Sequence, residues 1–339
     1  MIISVLPVIV LVLVVELIVG FGSAANQRTL LTFLVTLTAV LGLGIFVGNS
    51  GIMSFGHAAF MGIGAYCGSL LVLPITIKDQ ALPDLPGFIG SAHLEFIPAI
   101  LITLVVVGFV GFLIGLPLSR MAPPSFAIAS IAFLIIVQVV LDSATTFTRG
   151  AATLYGVPPL LSVQGALAIA VIATFVAGMF KTSRWGLQLR ASRENEVASR
   201  STGGNIERNR WLAWTVSAAI AGAAGFMLAT TIGAFSPKAF GLTQTFIILS
   251  MLLVGGMTSV SGAIAGTAAI TAITEFLRPY ESGLSLGPLE TGSLFGLSTF
   301  GLGLVILLTL YFRPSGIFGY RELNQVLPGR FLKRNHREP

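Results

Sequence analysis

Asn49, Ser54 and His57 stand among closely spaced glycines in an otherwise apolar stretch, residues 47–71, VGNSGIMSFGHAAFMGIGAYCGSLL. An amide, a hydroxyl and an imidazole in such company can bind or pass a polar solute, and a histidine there can gate or relay protons. Phe60 and Tyr66 follow on the same stretch, so Asn49, Ser54, His57, Phe60 and Tyr66 form one set of candidate path-lining residues. Polar groups of this kind are costly in lipid unless they face protein or a water-filled path.

A second chemically dense stretch is residues 181–210, KTSRWGLQLRASRENEVASRSTGGNIERNR. Its residues 187–202 are expected to form one short amphipathic helix stopped by Gly203 and Gly204. Arg190, Arg193, Glu194 and Glu196 supply charge along it, and Val197 and Ala198 supply an apolar patch.

The usual catalytic constellations are missing. No GxxxxGK[ST] loop occurs, so any ATP drive must come from a partner. His57, His93 and His336 are far apart, no HExxH is present, and Cys67 is the single cysteine. Neither a metal-ligand spacing nor a disulfide framework can be built from these residues, and an intramembrane enzyme lacks a plausible catalytic set.

The elements that must carry these residues follow from composition. Of 339 residues, 55% are hydrophobic and 9% charged, against roughly a quarter charged in an ordinary soluble domain. The net charge of +6 could suggest a nucleic-acid ligand, but the basic residues sit between apolar runs rather than over a soluble body.

Runs long enough to cross a hydrocarbon core of about 30 Å recur along the chain. They fall at residues 3–20, 29–48, 57–74, 96–119, 125–142, 160–180, 211–233, 243–260, 262–278 and 291–312. No Lys or Arg precedes the first run, which is therefore read as a retained span rather than a cleaved leader. Alternation of period two is missing, which argues against a β-barrel.

The fold class expected is all-α, a polytopic membrane bundle of eight to ten transmembrane helices with one or two broken or re-entrant segments. One break is expected at residues 49–56. The other is expected at Ser261 and Gly262, because a single helix over 243–278 would run about 54 Å and overshoot the bilayer, so a hairpin or re-entrant pair is favoured.

The division expected is a transmembrane domain over 1–312, containing the loop 181–210, and a basic tail over 313–339. Lys and Arg accumulate in cytoplasmic loops. With 181–210 inside, fourteen of the nineteen basic residues fall on that side: Arg120, seven in 181–210 and six in 313–337. The amino terminus and the tail are then both cytoplasmic. Gly64/Gly68, Gly111/Gly115, Gly262/Gly266 and Gly292/Gly296 have the four-residue spacing that lets helix backbones approach closely.

At both dense stretches the chain closely resembles the branched-chain amino acid permease family of ABC importers, the LivM-type membrane subunits. The family pattern GxxSxGHAAFxGIGAY is matched from Gly51, Ser54, Gly56 and His57 through to Gly64, Ala65 and Tyr66. The loop pattern SxxGRALRAIRENEIAAEALGIN is echoed by Ser183, Gly186, Leu189, Arg190, Ala191, Arg193, Glu194, Asn195, Glu196, Ala198, Gly203 and Asn205. Ser236 and Pro237, then Gly255, Gly256 and Gly262, then Arg313, Pro314, Gly316 and Ile317 continue the resemblance in order.

The resemblance implies a permease subunit of a bacterial inner-membrane importer for leucine, isoleucine, valine or related small polar solutes. It implies two ABC ATPase subunits, a second homologous permease subunit and a periplasmic substrate-binding protein as partners. The chain would hold no cofactor of its own, ATP and Mg being bound by the ATPases. Helix 187–202 would be the coupling element, with Arg190, Arg193, Glu194, Glu196, Val197, Ala198 and Gly203 at the ATPase contact. In an ATP-driven importer His57 needs no proton-relay role, and its ring is expected to hydrogen-bond backbone freed by the glycine turn. An ion-coupled secondary transporter with broken midplane helices remains the alternative.

Overall fold

The structure is a computed structural model that describes residue 12 and residues 24–201, 203–281, 285–286, 289–290, 296–313 and 316–319. The run 3–20 and nearly all of the tail lie outside the described residues, as does Gly292. The rest folds as a polytopic helical bundle with a two-residue antiparallel pairing, β1 Ser285–Leu286 with β2 Leu289–Glu290.

Membrane-scale helices are α1 Ala24–Ser50, α2 His57–Val72, α3 Phe96–Leu118, α4 Pro123–Ser143 and α5 Val163–Thr182. Two short helices, α6 Arg184–Glu194 and α7 Glu196–Ser201, lead into α8 Ile206–Ile232. The chain continues through a 3₁₀ turn, Pro237–Phe240, to α9 Leu242–Gly255, α10 Val260–Glu281 and α11 Leu297–Phe312. Among the described residues seven stretches are long and apolar enough to cross a membrane, the α9 stretch counted with the turn before it; α2 and α11 are shorter apolar helices. Each expected span other than 3–20 therefore has a helix.

Helices α1 and α8 form the centre. Their apolar stretches are 78% and 72% buried, against 33–39% for α3, α4, α5 and α10. The outer helices keep apolar rows exposed: Ile97, Leu101, Val105 and Phe109 repeat every fourth residue along one face of α3. Such a row suits lipid or another membrane helix.

Where the inner helices cross, small residues replace bulk. Lipid gives helices no hydrophobic reason to associate, so close backbone approach has to supply the attraction. A Cβ on Gly64 would collide with the Gly222 carbonyl, and one on Gly225 with the Met61 carbonyl, so α2 and α8 touch backbone to backbone. Gly111 and Gly115 let α3 close onto the side chains of Ala218 and Trp214 of α8.

The second break lies earlier than expected. Helix α9 ends at Gly255, Gly256 takes φ 115°, and α10 begins at Val260, so Ser261 and Gly262 lie within a helix. The Ser259 hydroxyl caps α10 by accepting from the Gly262 N–H at 3.0 Å. Gly262 serves packing instead: a Cβ there would be 2.6 Å from the Gly255 carbonyl oxygen across the hairpin. The hairpin itself is as expected, with its turn over 256–259. The segment 316–319 lies against that turn, Ile317 N–H donating to Val254 O at 2.9 Å and Phe318 N–H to Gly255 O at 3.1 Å.

Candidate functional site

The first break forms because α1 closes on its own polar side chains. Asn49 Nδ2 donates to Ile45 O at 2.8 Å and Ser50 Oγ to Phe46 O at 2.7 Å, while Gly51 turns the chain at φ 71°. Backbone freed in 51–56 is taken up by other helices. Phe55 N–H donates to Ser130 Oγ of α4 at 3.0 Å, and Thr245 Oγ1 of α9 donates to Phe55 O at 3.3 Å.

His57 does not serve that backbone, contrary to the expectation from sequence. Its Nδ1 is 2.9 Å from Ser54 Oγ and its Nε2 is 2.5 Å from Ser217 Oγ of α8, whose hydroxyl reaches the Gly42 carbonyl of α1 at 2.5 Å. Rings surround it: Trp214 lies 5.0 Å from the imidazole centroid and packs against Phe46, Phe60 and Phe126. Tyr66 is further along α2, edge-on to Phe235 at 4.9 Å, and its buried hydroxyl has no hydrogen-bond partner among the described residues.

The charged stretch folds as two helices, not one. Ser183 caps α6 by accepting from Gly186 N–H. Asn195 then adopts φ −152°, ψ 108° and its Oδ1 accepts from Ala198 N–H at 3.0 Å, starting α7. An extended residue whose side chain offers an N-cap ends one helix and opens the next. Gly203, at φ 80°, and Asn205, which accepts from Arg208 N–H at 2.9 Å, hand the chain to α8.

One face of this pair is bound into the bundle. Arg190 Nη1 donates to Asn49 Oδ1 at 3.2 Å, and the Arg193 stem lies over Gly51, where a Cβ would be 2.8 Å from Arg193 Cδ. Gln188 Oε1 accepts from Asn209 at 2.7 Å. Glu196 bridges Arg210 at 3.0 Å and Arg200 at 2.9 Å, and Arg200 also meets Glu207 at 2.5 Å. The Arg200 hydrogen bond first, with the nearby Arg210 charge adding to it, holds the Glu196 carboxyl below the usual carboxylate range.

The other face is exposed. Leu187, Glu194, Val197, Ala198 and Gly203 point away from the bundle, Val197 with 78% of its surface accessible. Of the residues assigned to the loop contact by sequence, Glu194, Val197, Ala198 and Gly203 thus lie outward, whereas Arg190, Arg193 and Glu196 are engaged by this chain's own groups.

A cleft between α1, α5 and the α9–α10 turn has Asn49, Lys181, Thr258 and Ser259 as polar lining beside Gly44 and Gly48. Lys181 Nζ donates across it to Thr258 O at 2.5 Å. Of the five path candidates, Asn49 lines this cleft, while Ser54, His57, Phe60 and Tyr66 are buried in packing. Lys181, Thr258 and Ser217 carry no local signal strong enough to single them out; a serine inside the apolar run of α8 was the visible hint. Among the described residues no cluster of His, Cys, Asp and Glu could hold a metal ion.

The family model described as the permease component of branched-chain amino acid transport systems matches residues 26–308. The high-affinity branched-chain amino acid transport system permease protein LivM of Salmonella typhimurium is 27% identical over 313 residues, 82% of this chain and 66% of that protein. LivM of Escherichia coli is 26% identical over the same shares. A probable branched-chain amino acid transport permease protein LivH of Methanocaldococcus jannaschii is 30% identical over 182 residues, 52% of this chain and 54% of that protein. The chain thus spans just under two thirds of the length of the LivM relatives. No solved structure matches it.

Proposed function

This chain belongs to the family of branched-chain amino acid transport permeases, and we propose that it is the translocating subunit of an ATP-driven importer for branched-chain amino acids or related small polar solutes. ATP with Mg is bound and hydrolysed by two separate ABC ATPase subunits, a second homologous permease completes the path, and a periplasmic binding protein delivers solute. The chain resides in a bacterial inner membrane with 181–210 and its basic tail in the cytoplasm, as the distribution of Lys and Arg supports.

The observation that carries this reading is the two-faced loop. Leu187, Val197 and Ala198 offer an exposed apolar patch beside Glu194 and Gly203, while the opposite face reaches Asn49 and Gly51, where α1 breaks. A partner gripping the patch therefore pulls on the break. Apolar helix surface set in a partner's groove with charges at the rim is a general docking mode. In this mechanism Arg190, Arg193 and Glu196 transmit the pull and the outward residues receive it. Asn49 meets the solute in the cleft, Lys181 closes the cleft onto Thr258, and Ser54, His57, Phe60 and Tyr66 shape the wall behind.

Mild-detergent purification of the chain from its native membrane tests the reading. Two ATPases and a second permease are expected to co-purify, and Glu196→Lys or Ala198→Trp is expected to separate ATP hydrolysis from uptake while the protein stays inserted. A lone chain that transports on an ion gradient without an ATPase overturns it, and unchanged coupling in both variants removes the loop from the mechanism.

A further inference from the structure

The hydroxyl chain through His57 runs in one direction only. Ser217 has a single hydroxyl hydrogen, and the Gly42 carbonyl 2.5 Å away can only accept, so that hydrogen points to Gly42. Ser217 Oγ must then accept from His57, which places a proton on Nε2. Nδ1 is left to accept from Ser54 Oγ or, in an imidazolium, to donate to it. Charge is disfavoured: the ring is 3% exposed, its walls are Phe46, Phe60 and Trp214, and no ion pair joins it to a carboxylate among the described residues. The remaining state is neutral, with its proton on Nε2.

Four pieces of the chain meet in this relay: Ser54 of the break, His57 at the start of α2, Ser217 of α8 and Gly42 of α1. The break is also held at its other end, through Gly51 under Arg193 and Asn49 under Arg190. We propose that His57 is a positioning residue, a neutral Nε2–H imidazole that pins the far end of segment 51–56 to α1 and α8 so that movement of the cytoplasmic loop turns this segment instead of carrying it along. The second half of this proposal rests on the importer reading; the tautomer does not.

The test uses the full chain in lipid nanodiscs with ring-¹⁵N histidine and His93→Gln and His336→Gln, leaving His57 as the one labelled ring. At pH 7 the expected spectrum has Nε2 as the protonated, pyrrole-type nitrogen and Nδ1 as the bare, pyridine-type one. The Nδ1–H tautomer, or an imidazolium with both nitrogens protonated, overturns the proposal whatever the chain transports. In the assembled importer His57→Gln, whose amide can still donate to Ser217, is expected to keep most of the solute moved per ATP. His57→Leu leaves the Ser54 hydroxyl without its partner and Ser217 Oγ without its donor, and is expected to lower that ratio about tenfold. Should the leucine variant fail to insert, Ser217→Ala replaces it with the same expected loss, and a ratio equal to wild type in either removes the pin.

Discussion

Arg190 and Asn49 are 141 positions apart and share a 3.2 Å hydrogen bond, so a helix of the basic loop is fastened to a residue in the last turn of α1 that also lines the cleft. Their contact joins the outward-facing loop helices to the lining of the cleft. A double-mutant cycle of Asn49→Ala and Arg190→Ala measures it. Hydrogen bonds to charged groups contribute about 1.5–3 kcal/mol, so a coupling energy of about 1–2 kcal/mol is expected in thermal unfolding of the purified protein. Additive effects would show that the two residues act apart.

Gly225→Ala is expected to block assembly of the bundle. The added methyl meets the Met61 carbonyl, which cannot swing aside as a side chain could, and overpacking of this kind costs about 3 kcal/mol or more. Gly87→Ala is the control: nothing lies within 4 Å of a Cβ there, and its effect should stay within about 1 kcal/mol. Yield of monodisperse protein in detergent separates the two outcomes.

The Glu196 carboxyl, held below its ordinary range by Arg200 and Arg210, gives the loop a pH dependence of definite sign. A carboxyl depressed in the folded state contributes stability above its unfolded value, near 4.3, and loses it as pH falls through the lower folded value. A spin label at position 197 should be equally restricted from pH 8 to about pH 5 and gain mobility below about pH 4. Glu196→Gln should show the mobile spectrum at neutral pH, because Arg210, buried and paired with that carboxylate, then faces a neutral amide.

Tyr66→Phe removes a buried hydroxyl that no described protein group engages. Loss of an unpaired polar atom in a packed interior is neutral or favourable, so the melting temperature should hold or rise, with import retained. Impaired import at unchanged stability would instead make the hydroxyl a solute contact.

What local pattern could reveal, and what it could not, separates cleanly along the chain. The break after Asn49 is visible because amide and hydroxyl groups beside glycine interrupt an apolar run, and the chain does turn at Gly51. The hairpin turn was misplaced because Ser261 and Gly262 look like an interruption, whereas Gly256 at positive φ and the capping hydroxyl of Ser259 decide where the helices stop. Amphipathic spacing passes through Asn195 unbroken, so one helix was expected; the cap that Asn195 gives Ala198 is a choice between backbone states to which periodicity is blind. The partners of His57 and Asn49 lie 160 and 141 positions away, and no window along the sequence brings Ser217 or Arg190 beside them.

The central place of α8 also constrains how the bundle is made. Helix α1 contacts α8 through Ser217 and Gly42, 175 residues apart, so α1 and α2 leave the ribosome long before the helix that covers them has been synthesised. Until α8 enters the bilayer, His57 Nε2 lacks Ser217, and Gly64 and Gly68 of α2 lack the helix they fit. A chain interrupted before residue 206 has no α8, so its His57 ring is without Ser217 and the Gly64 and Gly68 face of α2 is without the helix that fits it.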